Sequence, residues 1–316
     1  MIRVGIIGAD TPEGGELIRL LAMHPDVEIL GAQAPGLEGT PITHHHHGLI
    51  GETDLSFTGS LDYSRLNVLF VCNSLTFGTA EFTQMRIVRP DLKVILLNWP
   101  KGLDIESHGI VYGLPEINRK LLVRGATGAV VPTSFASMAL VALYPFANHL
   151  LLNGDIEIHV SAPRVILEEI DINAVEREIA DRLQEAQRSF NGTIKISAEE
   201  SAARRSSMMS IKFATSLTTG QILQLYEIYD DHNFSFVSQI PVGVSEVAGT
   251  NKCVVSVIRE ESGRAHLQAI ADCRLRGGAG EAVHILNLMF GLHERTGLAL
   301  KAIDFTPVGT SGVSDD

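Results

Sequence analysis

The chain has 316 residues, a length that suits two packed domains better than one core. Hydrophobic residues make up 45% and charged residues 20%, which excludes a disordered or fibrous chain, and 25 basic residues against 37 acidic ones leave a net charge of −12. That balance disfavours nucleic acid held by counterion release and, for the same reason, anionic membranes. Cys72, Cys253 and Cys273 are odd in number and lack C-x-x-C spacing, so a reducing, cytoplasmic setting is expected rather than a disulfide framework. The start shows no basic leader, and no apolar run approaches membrane-spanning length.

The first element is a β-branched run, Arg3 to Gly8, followed by turn residues and a helical pattern from Glu16 to His24 that Pro25 ends. Val27 to Gly31, Val68 to Cys72 and Lys93 to Leu97 are further buried-strand candidates, and their separation by crossovers predicts a doubly wound parallel α/β sheet of Rossmann type. Between them His44 to His47 read as a solvated polar loop, with adventitious metal binding as the alternative. A helix is expected over Ser137 to Leu152. Beyond it come a strand at Ile156 to Ser161, a charged amphipathic helix over Ile172 to Phe190, and alternating runs at Met208 to Phe213 and Lys252 to Ile258. This mixture predicts a second, α+β domain. Glycines 277, 278 and 280 then lead into a last helix, Glu281 to Leu292, and a polar tail. The expected domains are 1–147, 148–276 and a C-terminal helix segment 277–305, with residues 306–316 disordered.

A strand that leads through glycines into a helix is the setting for dinucleotide diphosphate binding, because bare backbone N–H groups at a helix amino end attract an anion. The candidate residues are Gly8, Ala9, Asp10, Thr11, Pro12, Glu13 and Gly14. Thr11 stands where the middle glycine is wanted. The carboxylates of Asp10 and Glu13 suit the helix dipole but repel a diphosphate. The end of the second strand, Gly31 to Ala34, carries no acid to clasp a ribose diol, so NAD is not selected over NADP there.

Val111 to Arg119 (VYGLPEINR), Asn287 to Leu292 (NLMFGL) and Thr296 to Leu298 are long, unusual strings. With Val4 to Ala9, Gly14 to Leu21 and Gly277 to Val283, the chain resembles the N-acetyl-gamma-glutamyl-phosphate reductases of the aspartate-semialdehyde dehydrogenase superfamily. The resemblance spans nearly all of it except about 161–207. It implies an NADP-binding domain, a substrate and dimerisation domain, and a C-terminal helix that returns to the first. Gly280 joins the cofactor-binding candidates on this basis. The implied activity is NADP-dependent reduction of an acyl phosphate to a semialdehyde in arginine biosynthesis, by way of a cysteine thioester. A homodimer or homotetramer is implied as well.

The family's cysteine lies in an N-P-G-C-Y-P-T string, and Ser134 in Val131 to Ser137 (VPTSFAS) falls on it. A hydroxyl is far less acidic than a thiol, and an oxygen ester accepts hydride less readily. Ser134 is therefore either a weakened nucleophile or a helix N-cap. The family histidine string H-R-H-x-P-E-I is met by Asn173 to Ile179 (NAVEREI), without histidine, and the G-S-T-G-A-G segment expected after the strand at 156–160 is missing. These departures predict impaired standard chemistry; the alternative functions are a catalytically silent partner of an active paralogue or a small-ligand binding protein. Cys72, at the end of a central strand, is a substitute nucleophile or buried core. His108, His159 and His284 have no partner evident in the sequence, and Arg204–Arg205 are a solvated loop or an anion site.

Overall fold

The computed structural model describes residues 1–72, 77–97, 108–261 and 263–303. The predicted disordered tail, 306–316, lies outside them. In chain order the first elements are β1 (Ile2–Ile7), α1 (Pro12–Ala22), β2 (Val27–Gln33), β3 (Val68–Val71), α2 (Thr79–Val88), β4 (Lys93–Leu96), β5 (Ile110–Tyr112), α3 (Pro115–Val123) and β6 (Gly128–Val130). There follow α4 (Ser134–Asn148), β7 (Asn153–Pro163), α5 (Arg164–Glu169), α6 (Ile172–Ala186), β8 (Ile194–Ser201), β9 (Ser206–Ala214), α7 (Thr219–Leu225), β10 (Ser235–Ser238), β11 (Cys253–Glu261), β12 (Arg264–Asp272) and α8 (Ala279–Met289). None of the described helices is long and apolar enough to cross a membrane.

The first compact unit comprises residues 1–132 and 277–299. Its six strands run in the order β2-β1-β3-β4-β6-β5, every neighbouring pair parallel. β3 is buried along its whole length, as a strand covered by helices on both faces must be. The last helix belongs to this unit: α8 packs against α1, α3 and β4. Polar groups fix it there. Lys93 Nζ donates to the carbonyl of Met289 at 3.1 Å, at the carbonyl-rich end of the helix. His24 Nε2 meets Asn287 Oδ1 at 2.9 Å, and Asn287 Nδ2 donates to the carbonyls of Glu294 and Thr296. His284 Nε2 lies 2.7 Å from Glu294 Oε2, and Arg119 of α3 donates to Glu294 Oε1 at 2.6 Å.

The second unit comprises, among the described residues, 133–276 with 300–303. Its sheet has the order β10-β11-β12-β9-β7-β8, with parallel pairs at both edges and antiparallel pairs between them. The boundary before Thr133 corrects the expected one at 147, and the C-terminal segment that belongs to the first unit ends at 299 rather than 305. The reason is α4. It is buried along nearly its whole length and packs on β9, β11, β12 and α6, so it forms the core of the second unit. Within α4, Pro145 has no N–H to give the carbonyl of Val141 four residues back. Tyr229 supplies the missing donor, its hydroxyl lying 2.9 Å from Val141 O, and Tyr226 donates to Ala142 O at 2.6 Å. α6 is shorter than expected but buries Val175, Ile179 and Leu183, the predicted stripe, after an Asp171 N-cap.

Two stability predictions follow from these bonds. Tyr229→Phe leaves the Val141 carbonyl buried without a donor and should cost about 1–3 kcal/mol in urea unfolding. In the first unit, burial opposes ionisation of Glu294, but the hydrogen bonds and charges of His284 and Arg119 outweigh it and hold the carboxyl down at about 2. Burial likewise opposes the His284 cation, which its Glu281 and Glu294 partners nevertheless favour, raising its pKa. Glu294 thus contributes stability that is full above its ordinary 4.5 and is lost as pH falls toward 2; the His284 contribution is full below 6.5 and is lost as pH rises through its folded value. Relative to Glu294→Gln, the wild type should hold an advantage of roughly 3 kcal/mol that is widest between these limits and narrows on either side. Urea midpoints measured from acid to mildly alkaline pH check this.

Candidate active site

The glycine loop begins where β1 ends. Gly8 takes a left-handed backbone, φ +72°, which turns the chain toward α1. Gly14 sits against that turn so closely that a Cβ would lie 2.5 Å from Gly8 O and 2.7 Å from Ala9 Cα. The glycine there brings helix and strand together. Thr11 is the N-cap of α1: its Oγ1 accepts the Gly14 N–H at 3.1 Å and donates to Gly8 O at 2.8 Å. Gly15 N donates to Thr11 O, and Pro12 has no N–H at all. The loop therefore commits to itself several amides that an incoming diphosphate would use. Gly280 stands in the first turn of α8, which packs on α1.

The histidine run is not simply a solvated loop. His45 Nε2 donates to Asp10 O at 2.9 Å and His46 Nε2 to Ala9 O at 2.7 Å; since a carbonyl can only accept, both rings carry their proton on Nε2. A Cβ on Gly15 would lie 2.7 Å from His46 Nδ1. Two of the four rings thus strap the glycine loop from the side. Cys72 is 2% exposed and belongs to the core, and burial, followed by the nearby Glu13 and Asp10 carboxylates, pushes its thiol far up.

The second candidate centre is the amino end of α4. Thr133, not Ser134, is the N-cap: its Oγ1 accepts from Ala136 N at 3.3 Å. Glu178 of α6 holds Thr133 twice, with Thr133 Oγ1 donating to Oε2 at 2.7 Å and Thr133 N to Oε1 at 3.2 Å. Ser134 is consequently the first helical residue, 6% exposed. The Cys273 thiol donates to Ser207 Oγ at 3.0 Å, and the Ser134 hydroxyl acts on the same sulfur. Burial pushes the Cys273 thiol up to about 11, against the lowering effect of the Ser207 and Ser134 hydroxyls. Three residues on, fully buried Arg276 donates through Nε to Ser137 Oγ at 2.9 Å.

Cys273, Arg276 and the Glu178 clamp escape sequence reasoning because they are brought to α4 from β12 and α6. The only local signal for the first two is their position just before the glycine string at 277–280. At the site of the family histidine string, Val175 is buried in the apolar stripe of α6, and no imidazole replaces it there. The missing glycine segment is met by β7 running on to Pro163 and directly into α5. Arg205 is tied down, its Nε 2.8 Å from Oδ2 of buried Asp272. His159 lies between Ser197 and Glu199, His108 packs on Phe82, and His284 is held by Glu294.

An all-parallel unit that carries a glycine loop, joined to a mixed-sheet unit with a polar cluster at the start of its central helix, defines a protein of semialdehyde dehydrogenase architecture. Residues 3–124 match the family model described as semialdehyde dehydrogenase, NAD binding domain. Solved structures agree on the fold. A probable aspartate-semialdehyde dehydrogenase from Pseudomonas aeruginosa superposes with a TM-score of 0.69 at 16% identity, covering 92% of this chain and 98% of that one. An aspartate semialdehyde dehydrogenase with NADP from Candida albicans gives 0.69 at 13%, with the same coverage. N-acetyl-gamma-glutamyl-phosphate reductases of Parabacteroides distasonis and Phocaeicola vulgatus are 31% and 32% identical, each over 96% of this chain and 100% of the relative. The chain belongs to the N-acetyl-gamma-glutamyl-phosphate reductase family.

The Thr11 cap has a measurable signature. Thr11→Ala should cost about 1 kcal/mol in urea unfolding and Thr11→Gly only a few tenths, because a glycine leaves the helix end open to water.

Proposed function

We propose that the chain is an NADP-dependent reductase of N-acetyl-gamma-glutamyl phosphate, forming the semialdehyde for arginine biosynthesis, and that it assembles as a homodimer or homotetramer through its second unit. The observation that carries this reading is 31% identity over 96% of the chain to a reductase of that name, together with a thiol and a buried guanidinium at the amino end of α4.

The first unit fits a nicotinamide dinucleotide in outline: a strand, the left-handed Gly8 and a helix amino end converge as diphosphate binding requires. Residues Gly8 to Gly14 would hold the diphosphate, with Gly280 contributing from α8. When bound, NADPH supplies the hydride. The Thr11 hydroxyl is the departure from this fit, because it occupies the Gly14 amide. In the second unit, Arg276 would hold anionic substrate oxygens and Ser134 would hydrogen-bond the reacting group rather than attack it, since among the described residues no base is bonded to its hydroxyl.

One second reading has its own support. Val175 in place of histidine and the self-capped glycine loop favour a catalytically silent partner of an active paralogue. A calorimetric titration with NADPH, followed by absorbance on adding the acyl phosphate, separates the two. The reductase should bind NADPH and oxidise it only when the acyl phosphate is present. Folded protein that neither binds nor oxidises it is the silent partner. Under the first reading Thr11→Gly should bind NADPH about tenfold tighter, because it frees the Gly14 N–H for a charged acceptor.

A further inference from the structure

The family position for the nucleophile is Ser134, yet a thiol stands beside it. We propose that Cys273, delivered by the end of β12 to the amino end of α4, is the acyl-accepting nucleophile of this chain. This rests on the acyl-phosphate reading above.

Position is the first argument. The Cys273 thiol donates to Ser207 Oγ at 3.0 Å, and three residues on Arg276 Nε donates to Ser137 Oγ in the first turn of α4, so this segment runs along the helix end that carries Ser134, whose hydroxyl lowers the thiol's pKa. The backbone holds it there, because Cys273 N donates to Arg205 O at 3.1 Å and extends the β9–β12 ladder one residue past Asp272. The other thiols do not qualify. All three thiols are buried, but Cys253 is 0% exposed and bonded into β11, and Cys72 lies in the first unit, whereas Cys273 is 6% exposed and beside the amino end of α4.

The second argument is independent of the sulfur. Asn251 is 1% exposed, yet neither its Oδ1 nor its Nδ2 makes a hydrogen bond within the protein. Cys253, two residues after Asn251, pairs with Ala271, two residues before Cys273. Gly249 N, donating to Asp272 Oδ2 at 2.8 Å, keeps this segment against the end of β12. A buried amide without partners is costly unless something satisfies it, and the carbonyl or phosphate oxygens of an acyl phosphate would do so. Arg276, bonded to Ser137 in the first turn of α4, adds a positive charge to the same end of the helix.

In the step itself the Cys273 sulfur attacks the acyl carbon and forms an S–C bond. The C–O bond to phosphorus-bound oxygen breaks, phosphate departs with that electron pair, and the thiol proton passes to it. No electrons are transferred to or from the protein. The product is a thioester on Cys273.

The test uses acetyl phosphate as the probe on full-length folded protein, with acid quench and peptide mass spectrometry. A hydroxylamine-labile acetyl group is expected on Cys273, retained in Ser134→Ala and lost in Cys273→Ala. Wild-type protein pretreated with acetyl phosphate should also be protected from iodoacetamide at Cys273, a measurement that needs no variant to fold. With the thiol pushed up to about 11, acylation should accelerate about tenfold per pH unit from neutral to mildly alkaline pH. Acetyl on Ser134, or on no residue, overturns the assignment. Reduction of N-acetyl-gamma-glutamyl phosphate by Cys273→Ala as fast as by wild type also overturns it, while leaving the reductase reading intact. Acylation of Cys273 in a protein that neither binds nor oxidises NADPH upholds the nucleophile and removes the reductase.

Discussion

One carboxylate decides where the central helix of the second unit begins. Glu178 takes both the amide and the hydroxyl of Thr133, and an anion at that point also complements the positive end of α4. The phase of the helix follows from it. Ser134 turns toward Cys273, Ser137 toward Arg276, and the buried face that remains meets the sheet. Near the other end, Pro145 removes a helical hydrogen bond and two tyrosine hydroxyls restore donors to the carbonyls of Val141 and Ala142. α4 is thus tied near both ends by side chains from other elements, and a small error in its register would move each polar group of the cluster together.

The glycine loop shows the opposite use of a helix end. An N-terminus that offers bare amides is a good anion site and a poor helix cap; one capped by its own threonine is the reverse. Thr11 moves α1 toward the second state, Pro12 fixes the first turn without a donor, and His45 and His46 hold the carbonyl side of the loop. The scaffold stays because Gly8 and Gly14 are needed for the turn and for close helix–strand contact, whatever the loop binds. Retained glycines therefore testify to packing first, and the side chain at position 11 carries the information about ligand.

Long periodic stretches declared themselves: β1 to β4, α6 and α8 come from β-branched runs or apolar residues at three- and four-residue spacing. β5 and β6 did not, because three residues each, one of them Gly128, leave no period to detect. β8 has few buried positions, so its pattern is as weak as an edge strand's usually is. The domain boundary was misplaced for a related reason: α4 is apolar on all sides, and an all-round apolar helix does not announce which sheet it packs on. For the site, local strings carried Ser134 and the glycine loop, since those positions are read from their immediate neighbours. Glu178, Cys273 and Arg276 depend on β12 and α6 arriving at α4, information that resides in the fold.

Serine at 134 then has a meaning beyond the loss of a thiol. With the Cys273 sulfur beside Ser134, a second thiol at 134 would bring two sulfurs near one another, a pair open to oxidation and one in which each thiolate raises the pKa of the other. A hydroxyl does neither, and it donates a hydrogen bond that favours the ionised sulfur. The thiol gains such support from Ser207 as well, against the burial that holds its proton. Arg276 and the amino end of α4 set positive potential at this end of the helix, where a thiolate would form. A nucleophile is defined by where its reactive atom stands rather than by its place in the chain, and here the sulfur stands at the same helix end as the family's position.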